Sequence, residues 1–213
     1  MLQTKTEENR LIHRSVETPH GPARVQLQPA ERAAGVLVLG HGAGGGVNAP
    51  DLQAAAQAAR GLNVSVALVE QPYRVAGRRS QPSAAQLDSA WIAVIDALRR
   101  DRELTALPLA AGGRSAGARV ACRTAAETGA AAVLCLAFLL HPPGRGDDPA
   151  KSRLPELEAV RVPVLVVQGQ NDPFGMPPEG RNRKVVRVPG NHSLRSTAAV
   201  EAAVAEWLPA FLS

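Results

Sequence analysis

The sequence predicts a three-layer α/β fold, a mostly parallel sheet of about seven or eight strands with helices on both faces. Short apolar segments alternate with helical patterns from Gly35 onward. The strand segments are apolar almost without interruption, as in sheets covered on both faces. The residues suited to chemistry stand directly after strands, where open α/β sheets bind their ligands.

The elements follow in order. After a polar arm at about 1–12, Ser15-Val16-Glu17 and Ala23-Arg24-Val25-Gln26-Leu27 flank His20-Gly21-Pro22 and read as a hairpin. Gly35 to Leu39 is a buried strand. Pro50 and Gly61 bound an alanine-rich helix, and Asn63 to Val69 is the next strand. From Ser83 a helix places Leu87, Trp91, Val94, Ile95 and Leu98 on one face, with Ser83 and Gln86 at capping-box spacing. The apolar stretch Leu107 to Ala111 leads into a helix from Ala116 to about Thr128, ended by Gly129. Strands are expected over Ala132 to Leu139, Val162 to Gln168 and Lys184 to Val188. Val200, Val204, Trp207, Leu208 and Phe211 mark a closing helix.

At 213 residues, 45% hydrophobic and 20% charged, the chain fits one well-packed domain over 1–213. No run approaches the roughly 18 apolar residues of a membrane span. MLQTKTEENR carries both charge signs and no apolar core, unlike a secretory signal. A cytoplasmic protein with no membrane partner is the expectation. Cys122 and Cys135 lie in apolar or small-residue segments and read as buried free thiols. No cluster has metal-ligand spacing. The net charge of +5 could suggest nucleic acid, but the arginines are dispersed and aromatics are only 3%, so no nucleic-acid partner is expected.

Ser115 stands in Gly113-Arg114-Ser115-Ala116-Gly117, between a strand and a helix. That context makes G-x-S-x-G a nucleophile elbow, a sharp turn that presents the hydroxyl at the sheet rim. A serine needs an adjacent base, a group to orient that base, and donors for the oxyanion. Asp172, after the strand ending at Gln168, is the candidate acid, although Asp172-Pro173 is also good turn chemistry. Asp147 and Asp148 are its only nearby substitutes. His192, between the last strand and the last helix, is the candidate base. The order Ser, Asp, His suits an elbow of this type.

Gly40-His41-Gly42-Ala43-Gly44-Gly45-Gly46 follows a strand and lets backbone approach a ligand. The amides of Ala43 (with Gly44 as the fallback) and Ala116 are the expected oxyanion donors. No Gly-Lys-Ser/Thr follows as a phosphate loop requires, and a dinucleotide fingerprint is the weaker reading. His41, Tyr73, Arg74, Arg114 and His141 are the candidate substrate-binding residues. Arg114 could instead form a salt bridge that steadies the elbow, with Glu70 as the expected partner. Arg78 and Arg79 read as solvated surface. If Arg74 meets substrate, acyl groups bearing carboxylate or phosphate should be preferred.

The segments HGAGGG, EQPYRVAGRR, GGRSAGARVA, LHPPGR and QGQNDPFG together resemble the α/β-hydrolase superfamily, in its small dienelactone-hydrolase-like form, over nearly the whole chain. More narrowly, the chain is similar to the group containing testis-expressed protein thirty and the hydrolase-like domain of the NSL complex's third regulatory subunit. The resemblance implies an α/β-hydrolase fold, Ser115 as nucleophile, Asp172 as acid and His192 as base. It implies no particular substrate. The connection from His141 to Leu154 is too short for a large insertion, so little or no cap and an open, shallow site are expected. The functional expectation is a serine hydrolase acting on an ester or thioester with no cofactor. The alternative is an interaction or scaffold module that keeps the fold and binds a protein partner.

Overall fold

The computed structural model describes residues 11–142, 144 and 148–211. Its elements are β1 (Ile12–Val16), β2 (Ala23–Gln28), β3 (Gly35–Gly40), α1 (Pro50–Gly61), β4 (Val64–Glu70), α2 (Pro72–Val75), α3 (Ala84–Arg99), β5 (Leu109–Arg114), α4 (Ala116–Thr124), β6 (Ala132–Leu136), α5 (Leu154–Glu158), β7 (Val164–Gly169), β8 (Arg183–Val188) and α6 (Thr197–Trp207). Most of the expected polar arm, and Asp147, lie outside the described residues.

The strands form one sheet in the order β1-β2-β4-β3-β5-β6-β7-β8. The β1–β2 hairpin joins β4 antiparallel, and every later pairing is parallel. Successive residues of a strand face opposite ways, so each buried strand serves two cores. In β3, Leu37 and Leu39 meet the layer of α1 and α6, with Leu52 and Val204. Val36 and Val38 meet the opposite layer, where Trp91 and Ile95 of α3 and Val120 of α4 pack. The α3 start carries both halves of the capping box between Ser83 and Gln86. On the outer side of α4, Arg119 pairs with Glu156 of α5, and Arg123 pairs with Asp88 of α3 and with Glu156.

Two elements are shorter than their apolar runs suggest. β6 stops at Leu136 because Ala137 adopts a positive φ of 49°, which turns the chain out of the sheet. The Gln168 side chain then takes both the N–H and the carbonyl of Phe138, replacing a strand partner. α4 ends at Thr124, and turns carry the chain on to Gly129, whose φ is 62°. Between β6 and α5 the described residues hold one 3-10 turn (Pro149–Lys151) and no cap helix. β7 and β8 are parallel neighbours joined without a helix. Residues 170–182 therefore run as a loop from the carboxyl end of β7 back to the amino end of β8.

Candidate active site

Each expected catalytic residue emerges from a carboxyl end of this sheet. Ser115 joins β5 directly to α4 with φ 53° and ψ −105°, a left-handed conformation that costs a non-glycine residue about 1–3 kcal/mol. The surrounding packing holds it there. Its N–H donates to the Leu136 carbonyl at 2.9 Å. A Cβ at Gly113 would lie 2.5 Å from the Gly40 carbonyl oxygen, and one at Gly117 would collide with that same oxygen. Only glycine lets the strand before the turn and the helix after it close against β3.

Ser115, His192 and Asp172 form one hydrogen-bonded chain. His192 Nε2 is 3.0 Å from Ser115 Oγ, and its Nδ1 is 2.9 Å from Asp172 Oδ2. An ionised carboxylate only accepts, so Nδ1 carries the proton and Nε2 is free to accept from the serine hydroxyl. The Asp172 side chain is fully buried. It receives the Phe174 N–H on Oδ1 and the Gln168 amide on Oδ2, each at 2.9 Å. Phe174 also packs edge-on against the imidazole, with ring centroids 4.5 Å apart. Asp148 is engaged elsewhere, accepting the Ala150 N–H at the start of the 3-10 turn.

Sequence reasoning missed Gln168, which is completely buried and also donates to the Phe138 and Gly175 carbonyls. Its signal is a single polar residue inside the apolar run of β7. A buried amide must find partners, and here they are Phe138 after β6 and the loop after β7 that carries Asp172.

The glycine loop after β3 is held from its carbonyl side. His41 Nε2 accepts the Gln71 N–H at 3.0 Å, which places the ring proton on Nδ1. Nδ1 then donates to the Gly42 carbonyl at 2.7 Å. Burial lowers the His41 pKa, so the ring is neutral at neutral pH. The Tyr73 hydroxyl donates to the Ala43 carbonyl at 2.9 Å. In a trans peptide the N–H points away from the carbonyl. Gripping the Gly42 and Ala43 carbonyls therefore turns the Ala43 and Gly44 amides to the opposite side. Among the described hydrogen bonds none uses the N–H of Ala43, Gly44 or Ala116. His41 Nδ1 and the Tyr73 hydroxyl are spent on this loop, and His41 Nε2 ties it to Gln71 after β4.

The remaining candidates separate. Arg114 forms a salt bridge, but with Asp51 of α1 at 2.8 Å rather than with Glu70, and it also donates to the His192 carbonyl at 3.0 Å. Glu70 pairs with Arg24, its partner across the β2–β4 ladder. Asp51 is fully buried, and burial raises its pKa against the pull of Arg114. Arg74 is half-buried; one guanidinium nitrogen reaches the Arg78 carbonyl and its Nε has no partner among the described residues. The backbone N–H of His141 donates to the Phe174 carbonyl at 2.9 Å, in the loop that carries Asp172. Arg78 and Arg79 are exposed. Cys122 and Cys135 are buried free thiols with sulfurs 3.5 Å apart. Among the described residues no group of three or more His, Cys, Asp or Glu could hold a metal ion, and no helix is long and apolar enough to cross a membrane.

The same architecture occurs in solved structures. A lidless α/β serine hydrolase of Xanthomonas campestris superposes with a TM-score of 0.71 at 21% identity, covering 94% of this chain and 96% of that one. Dienelactone hydrolase of Anabaena variabilis gives 0.76 at 18%, covering 97% and 100%. Est1E of Butyrivibrio proteoclasticus gives 0.74 at 15%, covering 93% and 98%. At these identities the likeness is one of fold. No curated protein matches the sequence. The family model for the alpha/beta hydrolase domain matches residues 33–203, and the chain belongs to that family.

Proposed function

We propose that the protein is a serine hydrolase that cleaves an ester or thioester of a small molecule through an acyl-enzyme. The observation that carries this reading is the Ser115–His192–Asp172 chain, with contacts of 3.0 and 2.9 Å. Ser115 Oγ attacks the carbonyl carbon as its proton passes to His192 Nε2. The carbonyl electron pair moves onto oxygen, which the Ala43 and Ala116 amides receive. Collapse of that intermediate breaks the bond to the leaving oxygen or sulfur, which takes the proton from Nε2. Water then gives a proton to Nε2, attacks the acyl carbon and releases the acid with Ser115 restored. Asp172 holds the imidazole in the required tautomer and stabilises the imidazolium.

Within the family we place the chain among the small dienelactone-hydrolase-like members, in the group of testis-expressed protein thirty and the NSL-complex domain. The motifs HGAGGG, EQPYRVAGRR and QGQNDPFG support that grouping. We assign it one domain and a cytoplasmic location, with neither nucleic acid nor membrane as partner. Arg74 is the residue we assign to an anionic substrate group, its Nε having no partner among the described residues. Labelling by a fluorophosphonate probe tests the central reading. Wild type should label and hydrolyse small activated esters, and Ser115→Ala should do neither while staying folded. A folded wild type that does not label would make the protein an interaction module instead.

A further inference from the structure

Gln168 stands on the face of β7 where Val164 and Val166 enter the apolar layer of α3 and α4. A third apolar side chain would suit that place, yet a completely buried glutamine fills it. Its Oε1 accepts the Phe138 N–H at 2.8 Å, which settles the orientation of the amide. Nε2 is then the donor, and it has two hydrogens for three oxygens. These are the carbonyls of Phe138 at 3.0 Å and Gly175 at 2.9 Å, and Asp172 Oδ2 at 2.9 Å. An ionised oxygen draws the stronger bond. Tying the two loops together would need only the carbonyls.

Asp172 Oδ2 is also the atom that meets His192 Nδ1, at 2.9 Å. The amide and the imidazole therefore donate to one oxygen. A donor on a carboxylate draws off part of its charge, so the Gln168 bond weakens the hold of Asp172 on an imidazolium. That bond is not the only one that places Asp172. Its Oδ1 takes the Phe174 N–H at 2.9 Å, and its own N–H donates to the Gly169 carbonyl at 3.1 Å. The other polar and charged groups at the pair are Ser115 on His192 Nε2, and Arg114 on the His192 carbonyl with Asp51 behind it. His141 adjoins through its N–H on the Phe174 carbonyl. None of these contacts uses Gln168.

We propose that Gln168 is a positioning residue that moderates the pull of Asp172 on the protonated base. The inference rests on the serine-hydrolase reading and deepens it. A general base has to be unprotonated to take the serine proton, so a carboxylate that pulls too hard removes the base from use. Without the amide, Asp172 still faces Nδ1 but carries more of its own charge. The imidazolium is then held more firmly, and activity is lost at a higher pH as the solution is acidified. A plain strut predicts the reverse. Asp172 would swing away, the imidazolium would lose its partner, and the acid limb of the rate profile would move down.

The test is the pH profile of kcat/KM for p-nitrophenyl acetate in wild type and in Gln168→Met, which keeps the side-chain length and removes both polar atoms. The midpoint of the acid limb does not depend on how much protein is active. It should rise by about half a pH unit or more in the variant. On the plateau, kcat per fluorophosphonate-labelled site should fall by about tenfold or less, against about 10⁴-fold for Asp172→Asn. An acid limb that stays or moves down overturns the proposal, as does a plateau loss equal to that of Asp172→Asn. If Gln168→Met does not fold, wild type decides. The side-chain amide of Gln168, followed by NMR in isotope-labelled protein, should shift with the midpoint of the acid limb. An amide that ignores that titration sinks the proposal. Failure of the hydrolase reading shows differently, as no ester hydrolysis and no fluorophosphonate labelling by folded wild type. The ring protons of His192 then supply the midpoint against which the Gln168 amide is judged.

Discussion

Replacing Arg114 with methionine keeps most of its stem and removes the guanidinium that joins α1, the elbow and the loop of the base. The Asp51 side chain is fully buried and Arg114 is 19% exposed. Removing one partner of a buried pair costs about 3–5 kcal/mol, because the other charge is stranded. Partial solvent access at Arg114 places this pair at the lower end, about 3 kcal/mol. Losing the hydrogen bond to the His192 carbonyl adds about 1 kcal/mol. A loss near 4 kcal/mol is a large share of the about 5–15 kcal/mol that holds a domain together. Urea unfolding at neutral pH measures it as a fall in the midpoint.

The same variant carries a pH signature. Burial already raises the Asp51 pKa with Arg114 opposite, and without the guanidinium it rises further. The folded state then holds the Asp51 proton to higher pH than the unfolded chain does. Stability therefore falls as pH climbs from the unfolded carboxylate range through the raised folded value. Arg114→Met should recover toward mildly acid pH relative to wild type, and Asp51→Asn in the same chain should restore most of the loss at neutral pH. A loss under about 1 kcal/mol with an unchanged pH slope would show that the pair is not a buried strut.

Asp172→Asn should lower kcat on an activated ester by about 10⁴-fold with the fold intact, because an amide there favours the wrong imidazole tautomer. An equal loss from Asp148→Asn with a mild Asp172→Asn would move the acid. Tyr73→Phe frees the Ala43 carbonyl and should reduce kcat about tenfold with KM nearly unchanged, less than deletion of an oxyanion donor itself. An unchanged kcat would show that the loop holds its shape without the hydroxyl. Arg74→Ala should weaken hydrolysis of esters bearing a carboxylate while sparing neutral ones, and salt should reproduce the difference. Equal rates for both ester classes, insensitive to salt and to the variant, would remove Arg74 from the site.

The parts of the site that were legible in the sequence are those that leave a local mark. Ser115 is flanked by glycines because the turn admits no side chain beside it, and such a constraint is written within five residues. Asp172 and His192 each follow a strand end, so alternation of apolar runs located them. The holding residues left no such mark. Asp51 sits in the first turn of α1 behind Pro50, where an acid suits any helix dipole, and its partner is 63 residues away. Glu70 looked nearer to Arg114 than it is. The sheet order puts β3 between β4 and β5, so the end of β4 is two strands removed and faces Arg24 instead. The Ala132 to Leu139 run misled for a related reason, since hydropathy does not register a positive φ at Ala137.

These non-local contacts explain why a small sheet with no cap helix among its described residues can hold its groups in line. His192 is gripped at both ends, its imidazole by Asp172 and its backbone carbonyl by Arg114. Arg114 is also the residue just before Ser115, so the turn into α4 and the loop of His192 share one guanidinium. Asp172 is fixed by Gln168, whose amide spans from Phe138 to Gly175 and so ties the end of β6 to the loop after β7. The glycine loop is fixed by His41 and Tyr73 through carbonyls, which leaves its amides free. In each case the group that holds differs from the group proposed to react. Gln168, His41 and Tyr73 spend their polar atoms on protein, and Ser115 Oγ has His192 as its hydrogen-bond partner among the described residues.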